Sequence, residues 1–570
     1  MYRFLFLKRS GMVVLAFWML TLASVSAAKP NILLIMADDM GYTDIGCYGS
    51  EIQTPHLDSL AEGGVRFTQF YNTSRCCPTR ASLLTGLYSH QAGIGLMTGD
   101  RGFPAYRGDL NRRCLTLAEA LRPSGYHNYL SGKWHVTKYT GPEGPKHNWP
   151  LQRGFDRFYG TIIGAGSFYD PATLCRGNNY ITPENDPEFQ LDDFHYTEAI
   201  TENARGFLRD HLTEKGKEEP FFLYVSYTSA HWPMQAPENL IQKYKGKYDH
   251  GYSGIRKRRR QRAIDNGVLR PEWKMSAPAV DWAKVPHKEW ERRCMEVYAA
   301  MVDQMDAGIG RILEDLKAAE LYENTIVIYL QDNGGCAEGF GRADNSAQQD
   351  DFQFKPLGKD GLQTKIWPPM QTRDGRWVRT GPETMPGAED TFVAYGKGWA
   401  NVSNTPFRGF KHEGYEGGIS TPFIFHWPAG LEETRSKAIV REPAHLIDIM
   451  PTLLDCAGGS YPDRFRGERI YAMEGVSLMP AIRGGDLDRN GPLAFEHHGN
   501  LALRMGRWKI VSTYQKDKPV DWELYDMKND RTELNNLALE NPEKRDELVR
   551  HWDAWASRVG VQSWPFEPRR

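Results

Sequence analysis

Four short, continuous apolar runs most constrain how this chain can fold. They occupy residues 31–36, 221–227, 325–330 and 422–426. Runs of this length that do not alternate with polar residues are typical of strands buried on both faces of a sheet. Because helical patterns separate the runs, the sequence predicts an α/β fold in which a large, mostly parallel sheet is covered by helices on both faces.

The helical patterns fill much of the chain between and after these runs. They lie at residues 78–84, 114–121, 289–321 and 444–456. The longest has one apolar stripe at helical spacing, made of Val297, Met301, Met305, Ile309 and Ile312. We interpret this stripe as core packing, since an apolar helix face normally covers a sheet or another helix.

The last part of the chain has a different pattern. Short strand-like segments lie at residues 493–496, 502–505, 508–512 and 522–525, and a helical segment follows at 542–555. Consecutive short strands favour an antiparallel meander. We therefore predict a main domain at residues 29–490 and a smaller C-terminal α+β domain at 491–570, with a four-stranded antiparallel sheet.

Two long segments interrupt the alternation of strands and helices. Residues 244–282 are basic, and residues 335–400 are polar and rich in Gly, Pro, Asp and Gln. Both are predicted to be surface insertions. The first contains a cationic run at residues 256–262, which we interpret as a solvated, partly helical segment. Binding of an anionic polymer by this run is the alternative.

Residues 1–28 have the order of a secretory signal. Arg3, Lys8 and Arg9 precede an apolar run at residues 11–25, and small residues follow it. An uncleaved anchor is the alternative, but the run is shorter than a spanning helix requires. We predict an exported protein, periplasmic or secreted, with no stable membrane insertion after cleavage. The formal net charge of -2 argues against a strongly basic nucleic-acid binder.

Polar side chains follow three of the apolar runs. Asp38 and Asp39 come after the first, His231 after the second, and Asp332 and Asn333 after the third. Because ligands of parallel sheets bind beyond the carboxyl ends of the strands, we expect these side chains to lie close together. Their carboxylate and amide oxygens suit Ca²⁺ or Mg²⁺ better than Zn²⁺.

The segment Cys76-Cys-Pro-Thr-Arg80 begins a predicted helix, in which Pro78 suits the first turn. Cys76 would then lie near the helix N-terminus, where free N–H groups favour an anion. A low-pKa thiolate, a structural thiol and half of a vicinal disulfide with Cys77 remain open at this point. The eight cysteines of the chain are too few for a disulfide scaffold.

This segment, continued by Leu83-x-Thr85-Gly86, resembles the signature of the sulfatase family. The resemblance covers nearly the whole chain after residue 28. The further segments that are similar to the family lie at residues 29–41, 54–58, 132–135, 153–160, 230–233, 404–418 and 522–537. The resemblance implies an alkaline-phosphatase-like fold, with a large mixed, mostly parallel sheet between helices. The sequence is most similar in style to the bacterial arylsulfatases.

The resemblance also implies a chemistry. Cys76, which stands two residues before Pro78, would be converted to Cα-formylglycine by a maturation enzyme, and one Ca²⁺ would be bound. The implied metal ligands are Asp38, Asp39, Asp332, Asn333 and the modified Cys76. The implied catalytic residues are Cys76, Arg80, Lys133, His135, His231 and Lys411. The expected reaction is hydrolysis of an aryl or carbohydrate sulfate to an alcohol and inorganic sulfate.

Three alternatives stay open at this level. A phosphonate or phosphate monoester hydrolase of the same superfamily would share the calcium and formylglycine chemistry, and its tetrahedral substrates are nearly isosteric with sulfate esters. A non-catalytic binder of sulfated glycans would keep the fold, although every element of the signature is present here. An enzyme that uses the unmodified Cys76 thiol would need a Cys-His-Asn pattern that the sequence lacks.

Overall fold

The computed structural model describes residues 28–343 and 353–566. The predicted signal segment therefore lies, except for Ala28, outside the described residues. Among the helices that are described, none is both long and apolar enough to cross a bilayer.

Within the part of the chain that the structure describes, eleven strands form one large mixed sheet. They are β1 Asn31–Ala37, β2 Val65–Tyr71, β3 His127–Gly132, β4 Arg157–Thr161, β5 Leu174–Arg176, β6 Asn179–Tyr180, β7 Phe221–Ser226, β8 Thr325–Gln331, β9 Ser420–His426, β10 Ala438–Val440 and β11 Ala444–His445. The order across the sheet is β10-β2-β9-β8-β1-β7-β3-β4-β5-β6, and β11 also pairs with β2. The central strands β8, β1, β7, β3 and β4 are parallel, whereas β9 runs antiparallel to both β2 and β8.

In the described residues, thirteen α-helices accompany the strands. They are α1 Pro55–Gly63, α2 Cys76–Thr85, α3 Ser89–Ala92, α4 Leu117–Leu121, α5 Tyr196–Glu214, α6 Glu238–Gln242, α7 Gly251–Asp265, α8 Lys288–Ala318, α9 Gly396–Ser403, α10 Glu416–Ile419, α11 Ile449–Ala457, α12 Met479–Ile482 and α13 Pro542–Val559. The predicted strands and helices thus occur close to their predicted positions. The apolar stripe of the longest helix is fully buried, which confirms its interpretation as core packing.

The central strand β1 shows why the sheet needs helices on both faces. Leu33 and Ile35 belong to one hydrophobic core, and Ile32, Leu34 and Met36 belong to another. Successive residues of a strand point to opposite faces, so a wholly apolar strand must be covered twice. Helices α5 and α8 contribute to the first core, and α2, α4 and α11 to the second.

The C-terminal part forms a separate antiparallel sheet. Its strands, in the order of the chain, are β14 Leu493–His497, β15 Asn500–Met505, β16 Trp508–Ser512 and β17 Glu523–Asp526. Leu548, Trp552 and Trp555 of α13 share a hydrophobic core with this sheet. A two-stranded hairpin, β12 Arg464–Phe465 with β13 Glu468–Arg469, precedes it. The fold prediction is confirmed, while the boundary between residues 490 and 491 stays a prediction.

Two predicted helices begin later than expected. In the segment 114–121 the helix starts at Leu117, because the Thr116 side chain accepts from Glu119 N–H and Glu119 reaches back to Thr116 N–H. In the segment 444–456 the first two residues form β11, and the α-helix starts at Ile449. Local capping and pairing with β2 therefore replace the first turns of both predicted helices.

The basic run was predicted to be solvated, and for two of its residues this is wrong. The run is helical, within α7, but Arg256 and Arg259 are fully buried. Arg259 forms ion pairs with Asp44 and Glu51 at 2.5 and 2.7 Å. Arg256 donates to the carbonyl and hydroxyl oxygens of Ser276. Arg259 thus anchors the insertion to the main body, whereas Arg256 binds within the insertion, and neither side chain faces solvent.

A buried ionic cluster joins the C-terminal sheet to the main body. Lys509 of β16 contacts Glu416 at 2.9 Å and Glu533 at 2.7 Å, and the Arg531 Nε atom contacts Glu416 at 3.0 Å. All four side chains are fully buried. Glu416 begins α10, directly before β9, so the cluster holds the approach to a central strand of the large sheet.

Candidate active site

Four oxygen-bearing side chains meet beyond the carboxyl ends of two neighbouring parallel strands. Asp38 and Asp39 follow β1, and Asp332 and Asn333 follow β8. The Asp39 N–H donates to the Asp332 carboxylate at 3.2 Å, and the Asn333 amide donates to the Asp39 carboxylate at 2.8 Å. All four are buried, so their oxygens form a cluster that is closed to bulk solvent.

Two cationic side chains contact this cluster from the neighbouring elements. Arg80 of α2 contacts Asp332 at 2.9 Å and Asp38 at 3.2 Å. Lys133, which follows β3, forms an ion pair with the same Asp38 oxygen. Ser226 at the end of β7 accepts from Arg80 and donates to the Lys133 carbonyl at 2.7 Å, so it fixes both basic residues.

A third cation enters from the loop before α10. The Lys411 ammonium lies 2.7 Å from one Asp39 oxygen and 3.6 Å from Glu338. Burial disfavours the charged form of Lys411, but Asp39, Cys336 and Glu338 together outweigh burial and raise its pKa. The pKa of Asp39 is lowered, because the effects of His231 and Lys411 outweigh the effect of burial. The pKa of Asp38 is raised well above its ordinary value, by burial and by the nearby Asp332.

Cys76 is the first residue of α2 and is only 2% exposed. The helix ends at Thr85, and Gly86 after it adopts the left-handed conformation with φ 66° and closes the last turn. A hydrogen bond from the Cys77 thiol is the main cause that lowers the pKa of Cys76, with Lys133 and His135 adding to it. All eight cysteines fall within the described residues and all are free thiols, so the vicinal disulfide is not formed.

Two histidines flank the site. His135 has a left-handed backbone, φ 57°, and its Nε2 atom lies 3.2 Å from the Cys77 sulfur. Its ring covers Gly164, where an added Cβ would lie 1.9 Å from the ring, so only glycine fits there. The His231 Nε2 atom lies 3.4 Å from the Asp39 carboxylate, and its Nδ1 donates to the Trp232 carbonyl. Burial lowers the pKa of His135 to about 4 and that of His231 to about 3.

The structure thus brings together every site residue that the sequence suggested, and it adds others. Glu338 accepts from the Trp232 indole at 2.9 Å and from Arg75 at 2.9 Å, next to Lys411. Burial is outweighed by Lys411, His412 and Arg75, so the pKa of Glu338 lies far below its ordinary value. Neither Glu338 nor Ser226 carries a sequence signal of its own, whereas Arg75 could have been found as the neighbour of Cys76.

An aromatic strip leads from this site to the surface. The His231 and Trp232 rings lie 4.3 Å apart, Trp232 and Phe340 4.8 Å, and Phe340 and Trp367 6.3 Å at an angle of 10°. Phe340 is 41% exposed and Trp367 51% exposed. Exposed, stacked aromatic rings beside a polar site offer an apolar surface to a flat ligand group.

The oxygen cluster fits a hard divalent cation. Its donors are three carboxylates and one amide, which are ligands typical of Ca²⁺ and Mg²⁺. One oxygen of Asp38 and the side-chain oxygen of Asn333 are buried and have no hydrogen-bond partner. Because a buried polar atom without a partner is costly, a cation at this position would satisfy both.

Comparison with protein-family models gives two matches. The model described as Sulfatase matches residues 30–460, and the model described as N-sulphoglucosamine sulphohydrolase, C-terminal, matches residues 410–553. The first match alone spans well over half of the chain and contains all the residues of the site.

Relatives of known name agree with these matches. An uncharacterized sulfatase of Schizosaccharomyces pombe is 34% identical over 94% of this chain and 95% of its own length. An arylsulfatase of Klebsiella aerogenes is 31% identical over 79% of this chain and 91% of its own. Among solved structures, Ps i-CgsB in complex with k-i-k-neocarrahexaose is similar in fold, with a TM-score of 0.63 at 23% identity over 95% of both chains.

Proposed function

The chain belongs to the sulfatase family and is a sulfuric ester hydrolase, and from this premise we propose how it works. The proposed reaction is hydrolysis of an aryl or carbohydrate sulfate monoester to an alcohol and inorganic sulfate. The proposed nucleophile is formylglycine made from Cys76, and the proposed metal is one Ca²⁺ held by Asp38, Asp39, Asp332 and Asn333, with the modified residue 76 as a further ligand.

The observation that carries this proposal is the charge arrangement around Cys76. Three buried carboxylates are paired with three buried cations, so the cluster is balanced before any metal is added. A bound divalent cation would make the site net positive, which favours an anionic sulfate ester. Charges that are fixed in advance, in a site closed to water, are usually the largest contribution to catalysis.

Ca²⁺ and formylglycine would each supply one element of the chemistry. Ca²⁺ would neutralise the charge on the sulfate and polarise it. Formylglycine would supply, in its hydrated form, a hydroxyl nucleophile and a second hydroxyl whose deprotonation releases the sulfate. The site residues fit both groups, since the cluster has unpartnered oxygens and residue 76 lies against Lys133 and His135.

The remaining roles belong to side chains of this chain. We propose that Arg80, Lys133 and Lys411 bind the sulfate oxygens as its charge shifts in the transition state. His135, which lies beside Cys76 and Cys77, would accept the proton of the second hydroxyl. His231 or Lys411, on the opposite side at Asp39, would protonate the leaving alcohol oxygen.

Two partners follow from the proposed nucleophile. One is a maturation enzyme that oxidises Cys76, and the other is a sulfated small molecule or carbohydrate. The aromatic strip from Trp232 to Trp367 would take the ring of the alcohol. Export through residues 1–28 stays a prediction, because those residues lie almost wholly outside the described part of the chain.

Mass spectrometry and kinetics test this proposal together. The tryptic peptide of residues 76–80 from the active protein should be lighter by the difference between a CH₂SH and a CHO side chain. Cys76→Ala should abolish turnover, whereas Cys175→Ala, a buried thiol of β5, should not. Turnover that survives Cys76→Ala would refute the mechanism, and faster hydrolysis of p-nitrophenyl phosphate than of the sulfate would reassign the substrate.

A further inference from the structure

Three histidines from two distant parts of the chain converge outside the cluster described above. His412 follows Lys411, while His497 ends β14 and His498 opens the turn to β15. The ring centroids lie 5.4 Å apart for His412 and His497, 5.5 Å for His412 and His498, and 4.3 Å for His497 and His498. One ring nitrogen of each lies within 4.8 Å of the others, so one ion could reach all three.

Unpaired ring nitrogens mark this cluster as more than packing. His497 is 1% exposed, and neither of its ring nitrogens has a hydrogen-bond partner. The Nδ1 atom of His412 is also buried without a partner. Buried polar groups without a partner are unfavourable, so a cation that accepts these lone pairs is the simplest physical explanation.

Glu338 provides the outer contact that metal-binding histidines usually have. Its carboxylate lies 3.1 Å from the His412 Nε2 atom, and it also binds Arg75 at 2.9 Å. A histidine that ligates a metal through one nitrogen commonly donates its other N–H to a carboxylate. With the proton on Nε2, the unpartnered Nδ1 atom keeps its lone pair. The other tautomer, with Nε2 accepting from Arg75 at 2.7 Å, would protonate Nδ1 and close the site.

We infer that His412, His497 and His498 form a second metal site, for a borderline divalent cation such as Zn²⁺. Imidazole nitrogens suit Zn²⁺, whereas the oxygen cluster at Asp38 and Asp39 suits Ca²⁺, so the two sites would select different metals. The ion would link the loop that carries Lys411 to the C-terminal sheet. Its role would be to hold that loop, and it takes no part in the proposed hydrolysis.

The turn that carries His498 supplies a variant that keeps the fold. His498 and Gly499 both have positive φ, 53° and 75°, and they connect the paired residues His497 and Asn500 in a two-residue hairpin. Asn-Gly is the preferred sequence for this kind of turn. His498→Asn should therefore preserve the hairpin while removing one imidazole ligand.

Zn²⁺ binding should be measured in a variant without the competing thiols and in the presence of Ca²⁺. Cys76, Cys77 and Cys336 are replaced by Ala, because these thiols belong to other clusters that could bind Zn²⁺, and Ca²⁺ is kept in excess. Equilibrium dialysis with Zn²⁺ should then show one more bound ion per chain in this parent than in its His498→Asn variant. His551→Asn, on the exposed surface of α13, is the matched control and should bind like the parent.

Two further readouts separate a metal site from a structural cluster. Glu338→Gln should weaken Zn²⁺ binding by about 10–100-fold, as loss of an outer carboxylate usually does. Zn²⁺ should raise the unfolding temperature of the parent but not that of His498→Asn, and both should unfold alike without metal. Equal Zn²⁺ stoichiometry in parent and His498→Asn, or no bound Zn²⁺, would overturn the inference. Because the parent lacks the nucleophile, either result is independent of the proposed function.

Discussion

Replacing Glu416 by Gln tests how the C-terminal sheet is held to the main body. Glu416 accepts from Lys509 through one carboxylate oxygen and from Arg531 and Tyr71 through the other, at 2.9, 3.0 and 3.3 Å. Lys509 would keep Glu533 as a partner at 2.7 Å. Among the described residues, Arg531 would keep only neutral partners, Ser420 and the rings around it, so its buried charge would be uncompensated.

The size of the effect follows from this contact pattern. Removing one partner of a buried ion pair costs about 3–5 kcal/mol, because the remaining charge stays buried. The Gln amide also has to point its NH₂ group at Lys509 or Arg531, which are both donors. We therefore expect Glu416→Gln to lower the free energy of unfolding by about 3–5 kcal/mol. Glu547→Gln, at an exposed ion pair with Lys544, should cause no measurable change.

Urea-induced unfolding, followed by tryptophan fluorescence and by loss of activity, measures this difference. The double variant Glu416→Gln with Arg531→Met should regain at least half of the lost stability. In it no unpaired charge remains, and Met can pack against the Phe407 ring, which lies 4.6 Å from the guanidinium. A loss below about 1 kcal/mol for Glu416→Gln, or no recovery in the double variant, would refute the view that an orphaned Arg531 causes the cost.

Three further predictions concern catalysis, substrate binding and pH. Lys411→Ala should lower kcat by about 10²–10⁴-fold for phenyl sulfate and less for p-nitrophenyl sulfate, whose better leaving group needs less protonation. An equal loss for both substrates would exclude Lys411 as the proton donor. Lys397→Ala is the control. Trp367→Ala should lower kcat/KM for aryl sulfates by about 3–10-fold and leave a small alkyl sulfate unaffected; equal effects on both would argue against ring stacking. Burial lowers the pKa of His195 from 6.5 to about 4. The stability that the neutral ring contributes is therefore full above about pH 6.5. It is lost as the pH falls toward 4, by about 1.4 kcal/mol per pH unit. The unfolding free energy of His195→Gln should depend less steeply on pH over this window than that of the unsubstituted protein. An unchanged slope would show that His195 does not cause the pH dependence.

Much of the fold could be predicted because its strands carry their own signal. The run at residues 31–36 predicts β1, and the polar residues that follow it predict where the site lies, since parallel neighbours end at one edge. Asp38 and Asp332 could thus be paired although 294 positions separate them. The roles of Arg80, Lys133 and Lys411 could be predicted only from the resemblance to a family. That these three side chains lie together is visible only in the structure.

The sequence could not indicate contacts between distant irregular segments. Glu338 lies in a polar insertion without periodicity, and nothing local connects it to Arg75 or His412. The burial of Arg259 was missed for the same reason, because its partners Asp44 and Glu51 lie more than 200 positions earlier. A cationic run on a helix is typical of a solvated surface unless such partners are known.

The burial of Cys76 also has a consequence in time. The loop that carries Lys411 joins the segment directly before Cys76 through His412 N–H, which donates to the Ser74 carbonyl at 2.9 Å, and this loop is synthesised about 335 residues after Cys76. At about 5–20 residues per second, the interval between the two is about 20–70 s. During that interval this loop cannot yet pack beside Cys76, so the proposed maturation enzyme would act most readily on the growing or newly completed chain. Synthesis speed and the supply of that enzyme would then set which fraction of the protein is active.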